Sequence, residues 1–162
     1  MNGSAAIAAA FSIVKAVAGV GPNIYDSLRY TNEQTVEGKF GQLFLDRTTD
    51  PDNPRIHTWM VTRESVRGAD VFMQTGKATH AVVAVGYFGF VDGATEKLWQ
   101  EEVDNVAAAF FPYAGRHLQS EGNDVQFDWS GPPQIEGIRI VWFGPFLCHT
   151  ARIVVPVEEL TL

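Results

Sequence analysis

Apolar residues fall along this chain in two rhythms, one helical and one extended. Over residues 4–18, Ile7, Phe11, Val14 and Ala18 recur at spacings of four, three and four, which predicts one helical stripe. Ser4 suits the N-cap, and Gly19, Gly21 and Pro22 end the helix. Ala10, Ile13 and Val17 lie off that stripe, so apart from Ser12 and Lys15 the helix is apolar nearly all round. Such a helix is either deep in a core or covered by a second subunit. A second helix is predicted over 93–111, capped by Asp92 and stopped by Pro112. Its apolar face is Trp99, Val103, Val106, Ala107 and Phe110, and its polar face carries Lys97, Gln100, Glu101, Asp104 and Asn105.

The extended segments alternate with period two or are apolar throughout. Residues 55–63 place His57, Trp59, Val61 and Arg63 on one face and Ile56, Thr58, Met60 and Thr62 on the other. Residues 80–90 form a near-continuous apolar run, as expected of a central strand covered on both faces. Gly86 and Gly89 within it point to a bulge or a close backbone approach. Three further strands are predicted over 124–129, 138–143 and 149–159, with Pro156 marking a strand edge or end. Residues 23–30 read as a helical turn or the lead into a strand, 48–54 as a turn, and 64–78 as a loop or hairpin arm. Residues 31–47 mix polar positions with Phe40, Leu43, Phe44 and Leu45 and carry no clear period. This order predicts one α+β domain spanning 1–162. A mostly antiparallel sheet carries the N-terminal helix and the second amphipathic helix.

Composition narrows the function more than the fold. The 162 residues are 46% hydrophobic and 19% charged, which suits a chain with a real core rather than a disordered tail. A single cysteine, Cys148, excludes an internal disulfide and a Cys-rich zinc site. The net charge of -7 lies wholly in residues 82–162, which hold 4 basic and 11 acidic residues, whereas residues 1–81 hold 8 of each. A broad basic footprint for nucleic acid is therefore not expected. Residues 5–20 have some look of a leader peptide, but no basic residue precedes them and Lys15 interrupts them. They are also too short to span a bilayer. The expectation is a soluble helix, no membrane association and a reduced, intracellular site of synthesis.

Motifs of catalysis are missing. The chain has no GxSxG, HExxH or CxxC, and the Gly-Lys of residues 74–80 lacks the rest of a phosphate-binding loop. His57, His80, His117 and His149 are scattered, and strand histidines are more often packed than ligating. Asp124 and Asp128 share a predicted strand face, which an exposed polar surface explains as well as a cation does. Cys148 and His149 are neighbours on a strand and so point to opposite faces, unsuited to proton transfer between them. Four Trp and eleven Phe are many for this length and fit either a well-filled core or a subunit that buries surface on its neighbours. No cofactor or metal is indicated.

The layout resembles the tail terminator and neck proteins of long-tailed bacteriophages. The residues that carry the resemblance are the Ala-rich helix ending in glycine, AIAAAFSIVKAVAGVG, and the strand with Trp59, Thr62 and Arg63. The helix with Trp99, Val103, Asp104 and Val106 follows. The closing strand has His149, Ala151, Ile153, Val155, Val157 and Glu158. The resemblance spans nearly the whole chain, but residues 31–54 and 112–137 align with nothing. It implies a structural virion protein without catalytic activity, assembled in the host cytoplasm. Such subunits form a ring, usually of six, at the head-proximal end of the tail tube. The ring stops tube polymerisation, meets the head connector and encloses the path of the DNA, which passes without specific binding. Under this reading Phe11 and Val14 of the first helix, with Arg63, Arg67 and Asp70 of the polar connection, are the expected subunit contacts, and segment 64–78 is an arm that orders on assembly. Another neck component, such as a head-closure or tail-completion subunit, fits the same resemblance. A different class also fits the residues: a cup-shaped α+β domain binding or transforming a small ligand, with His57 and His80 as the side chains to test.

Overall fold

The apolar run at residues 80–90 lies in the middle of the sheet. A computed structural model describes residues 4–67, 77–113, 117–121, 125–129 and 131–161. Among these the order is α1 (Ser4–Lys15), β1 (Asn23–Tyr25), α2 (Lys39–Phe44), β2 (Leu45–Asp46), β3 (Arg55–Arg67) and β4 (Lys77–Gly89). Then follow α3 (Gly93–Phe110), a 3₁₀ turn (Phe111–Tyr113), β5 (His117–Glu121), β6 (Val125–Trp129), β7 (Gln134–Phe143) and β8 (Phe146–Thr161). The fold is α+β, with the strands in one sheet ordered β1-β3-β4-β8-β6-β5, β2 beside β3 and β7 beside β8. Every pairing is antiparallel except that of β1 with β3. Strand β4 is paired along both edges, and its Val82, Val83 and Ala84 are all buried, so both faces are covered as its apolar run requires.

On one face lie α1 and α3. Asp92 caps α3 by accepting from the Ala94 and Thr95 amides, and Trp99, Val103, Val106, Ala107 and Phe110 are all buried, the face expected from the sequence. Helix α1 departs from expectation. It stops at Lys15, and the chain turns at Gly19, whose φ is 87°. Its deepest line is Ala6, Ala10 and Val14 rather than Ile7, Phe11, Val14 and Ala18, because small side chains let it lie close to the sheet. Ile7, Phe11, Ile13 and Val17 flank that line and pack partly on the same core. Most of the apolar surface of α1 is thus absorbed by this chain, which removes the reason for a second subunit there. Val14, expected at a subunit contact, is fully buried in the chain's own core.

On the other face a smaller core gathers Phe40, Phe44, Leu45, Ile56, Met60 and Cys148. The segment without a clear period therefore folds over one end of the sheet, because its four large apolar residues close this second cluster.

Three strand boundaries differ from the sequence reading. Strand β3 continues to Arg67 and β4 begins at Lys77, so residues 64–67 and 77–78 already belong to a long hairpin in the single chain rather than waiting for assembly. Strand β7 begins at Gln134, four residues before the predicted start at Ile138, with an irregularity between Glu136 and Arg139 where Gly137 takes a φ of 65°. Strand β8 does not end at Pro156. It changes partner there, pairing with β7 up to Val154 and with β6 from Val157. On that edge Pro156 falls between the two partners, while its other edge is paired with Ala81 of β4.

Candidate functional site

Two features of the surface stand out, a cleft on the helical face and an uncovered strand. The cleft, about 570 Å³ in volume, opens where the turn after α1, the turn after β2, the start of β3 and the middle turns of α3 meet. Its floor is built by the alternation of β3, which turns His57 to the same side as the buried Trp59. Helix α3 runs across that side and brings Glu102 down one turn after Trp99. His57 Nε2 lies 2.7 and 2.9 Å from the two Glu102 oxygens, and Trp59 Nε1 donates to the same carboxylate at 3.2 Å. On the other side of the imidazole, Nδ1 is 3.7 Å from Asp46 Oδ2. The aromatic wall is Phe88 and Trp99, stacked with centroids 5.9 Å apart. Gly21, with φ 80°, lets the chain pass against the imidazole, since a Cβ there would lie 2.9 Å from His57 Nδ1.

Asp46 is held by its own turn. Burial alone would push its carboxyl up, but the hydroxyls and amides of Thr48 and Thr49 all donate to it and hold it down at about 2. The folded value lies below the unfolded value of 3.8, so this contribution is present above pH ~4 and is lost as the pH falls toward ~2. It amounts to about 2 kcal/mol. Acid titration of unfolding free energy in the wild type and in Asp46→Asn checks this. The wild type should lose that increment between pH ~4 and ~2, and the variant should lack it. Parallel curves would overturn the assignment.

The remaining histidines and the cysteine do other work. His80 is fully buried in β4 with Nε2 2.6 Å from Glu159, away from the cleft. His149 faces α3. The Thr95 hydroxyl donates to the Asp92 carbonyl and therefore accepts from His149 Nε2 at 2.9 Å, and burial lowers the His149 pKa. Cys148 belongs to the opposite core, where burial pushes its thiol up to about 12, so the two neighbours form no thiolate pair. The His117 and Asp128 side chains and all of Asp124 lie outside the described residues. Among the described residues no group of three ligating side chains is placed to hold a metal ion.

The second feature is β7. Among the described residues it pairs with β8 on one side only, and its Ile135, Ile138, Ile140 and Trp142 are exposed, Trp142 by 71%. Of the tryptophans, Trp59 and Trp99 are core and Trp142 is not. The side chain of Trp129 lies outside the described residues.

No family model and no curated protein matches this chain. Among the described residues no helix is long and apolar enough to cross a membrane.

Of the residues expected at subunit contacts, Phe11 is half-buried on the core with Lys15 Nζ 5.6 Å from its ring. Arg63 is exposed on β3, and its Nη1 lies 3.5 Å from His80 Nδ1. Arg67 ends β3 opposite Thr79, with its side chain outside the description, and Asp70 lies outside the described residues altogether. Sequence reasoning named His57 but missed Asp46 and Glu102, which are 11 residues before it and 45 after it. It also read β7 as an ordinary strand, although the alternation of Ile138, Ile140 and Trp142 was visible.

Proposed function

We propose that this protein is a structural subunit of the head–tail junction of a long-tailed bacteriophage, acting through assembly and not through catalysis. In this reading it forms a ring at the head-proximal end of the tail tube, ends tube polymerisation and offers a face to the head connector. The observation that carries the assembly part is β7: a one-sided edge strand bearing a row of exposed apolar side chains. Such a row is a liability for a solitary protein, because an open edge and an apolar patch both invite pairing. A closed ring hides it in the same contact repeated around an axis. The order of elements fits the phage resemblance over most of the chain. The acidic second half suits a lumen through which DNA slides without adhering.

Solution mass tests this. The wild type is expected to give a species of about six subunits as concentration rises. Trp142→Glu places a charge on the most exposed side chain of the row, at its end, and should hold the protein at the monomer mass of 17.8 kDa over the same range. Its folding stability should change by no more than about 0.5 kcal/mol, since the side chain is exposed. Assembly of the variant at wild-type concentrations would remove β7 from the interface. A monomeric wild type at every concentration would count against self-assembly.

The cleft favours a second reading, a small-ligand-binding domain of α+β form. It is concave, walled by aromatic rings and floored by a few convergent polar groups. His57→Ala separates the two, because it should leave ring assembly intact and abolish any stabilisation by a ligand in the cleft.

A further inference from the structure

We infer that the cleft beside His57 is a receptor for a basic side chain, arginine or lysine, presented by a protein partner. This goes beyond the ring reading and does not depend on it. Four carboxylates line the cleft, those of Asp46, Asp50, Glu101 and Glu102, against one permanent cation, Arg55. Arg55 itself shows what the walls accept, since its guanidinium lies over the Phe88 ring at 5.6 Å. Glu102 is tied to His57 and Trp59, but Glu101 on the rim makes no hydrogen bond or ion pair among the described residues. Below them, Trp99 lines the cleft, and its indole Nε1 is buried with no acceptor. The occupant that answers the carboxylates and the aromatic wall has a cation for the first and an apolar stem for Leu98 and Phe88. A peptide-borne arginine or lysine carries these in one unit. The volume of about 570 Å³ admits such a residue with its flanking amides.

The probe is Nα-acetyl-arginine amide, with the neutral isostere Nα-acetyl-citrulline amide as control, read by tryptophan fluorescence and by NMR of the Trp99 indole N–H. The arginine probe should bind about tenfold or more tightly than citrulline, and its affinity should fall with added salt. Glu101→Gln, a change on an exposed side chain, should weaken binding several-fold with no effect on folding. Glu102→Gln should weaken it further, with circular dichroism checking that the variant remains folded. Equal affinity for the two amides, or no binding of either up to ~50 mM, would overturn the inference. The solution mass of the wild type with and without the arginine probe identifies the donor of the side chain. If the arginine probe also disperses wild-type assemblies, the basic residue comes from a second copy of this chain. If assembly is indifferent, the residue belongs to a different protein.

Discussion

Gly86→Ala is expected to destabilise the protein by about 2–3 kcal/mol, although alanine is the better strand former. Gly86 lies in the middle of β4 beneath α3, and a Cβ there would meet Trp99 Cη2 at 2.5 Å and Trp59 Cε2 and Cζ2 at 2.8 Å. Neither ring can give way easily. Both are buried to 1% exposure or less, they stack on one another with centroids 5.3 Å apart, and Trp99 stacks in turn on Phe88. Removing glycine from a strand gains about 0.5–1 kcal/mol in backbone entropy, while overpacking a filled core costs about 1–3 kcal/mol or more, so the clash decides the sign. Gly86→Val should be worse still. Urea unfolding measures it, and the cost of Gly86→Ala should shrink in a Trp99→Leu background, where the nearest ring is gone. A Gly86→Ala protein within 0.5 kcal/mol of the wild type would show that the rings can slide apart.

Glu159→Ala is expected to cost about 1–3 kcal/mol. His80 and Glu159 lie on neighbouring strands, two residues apart in register and so on one face, since His80 faces Val157 and Ala78 faces Glu159. Both are buried. Arg63 Nη1 lies 3.5 Å from His80 Nδ1, and a guanidinium only donates, so Nδ1 accepts there and Nε2 carries the proton given to Glu159. Taking away the carboxylate strips a buried donor of that acceptor, which costs far more than the net worth of the bond. Replacing both partners tells the two contributions apart. His80→Leu with Glu159→Met should return to within about 1 kcal/mol of the wild type, because a packed apolar pair carries no desolvation penalty. A double variant as unstable as Glu159→Ala would mean that the pair stabilises the fold in its own right.

Local pattern was enough for much of this molecule. The buried face of α3, the Asp92 cap and the central place of β4 all follow from side-chain period, cap chemistry and an unbroken apolar run, which act over one or two turns of chain. The opposed faces of Cys148 and His149 follow from the pleat alone. Where the sequence reading went astray, the deciding contact came from far along the chain. The inner line of α1 is Ala6, Ala10 and Val14 because the sheet beneath admits only small residues, and no property of α1 reveals that. Pro156 sits inside a strand where the neighbour on one edge changes. His57 stood out as a lone strand histidine, but its partners arrive from a turn and from a helix on either side of it in sequence. Ile138, Ile140 and Trp142 alternate like any half-buried strand, and only the tertiary structure shows that they lie in water, with no strand among the described residues on the other edge of β7. Period and capping are properties of a segment. Which face is covered, which edge is open and which charges meet are properties of how segments are placed, and those the tertiary structure alone decides.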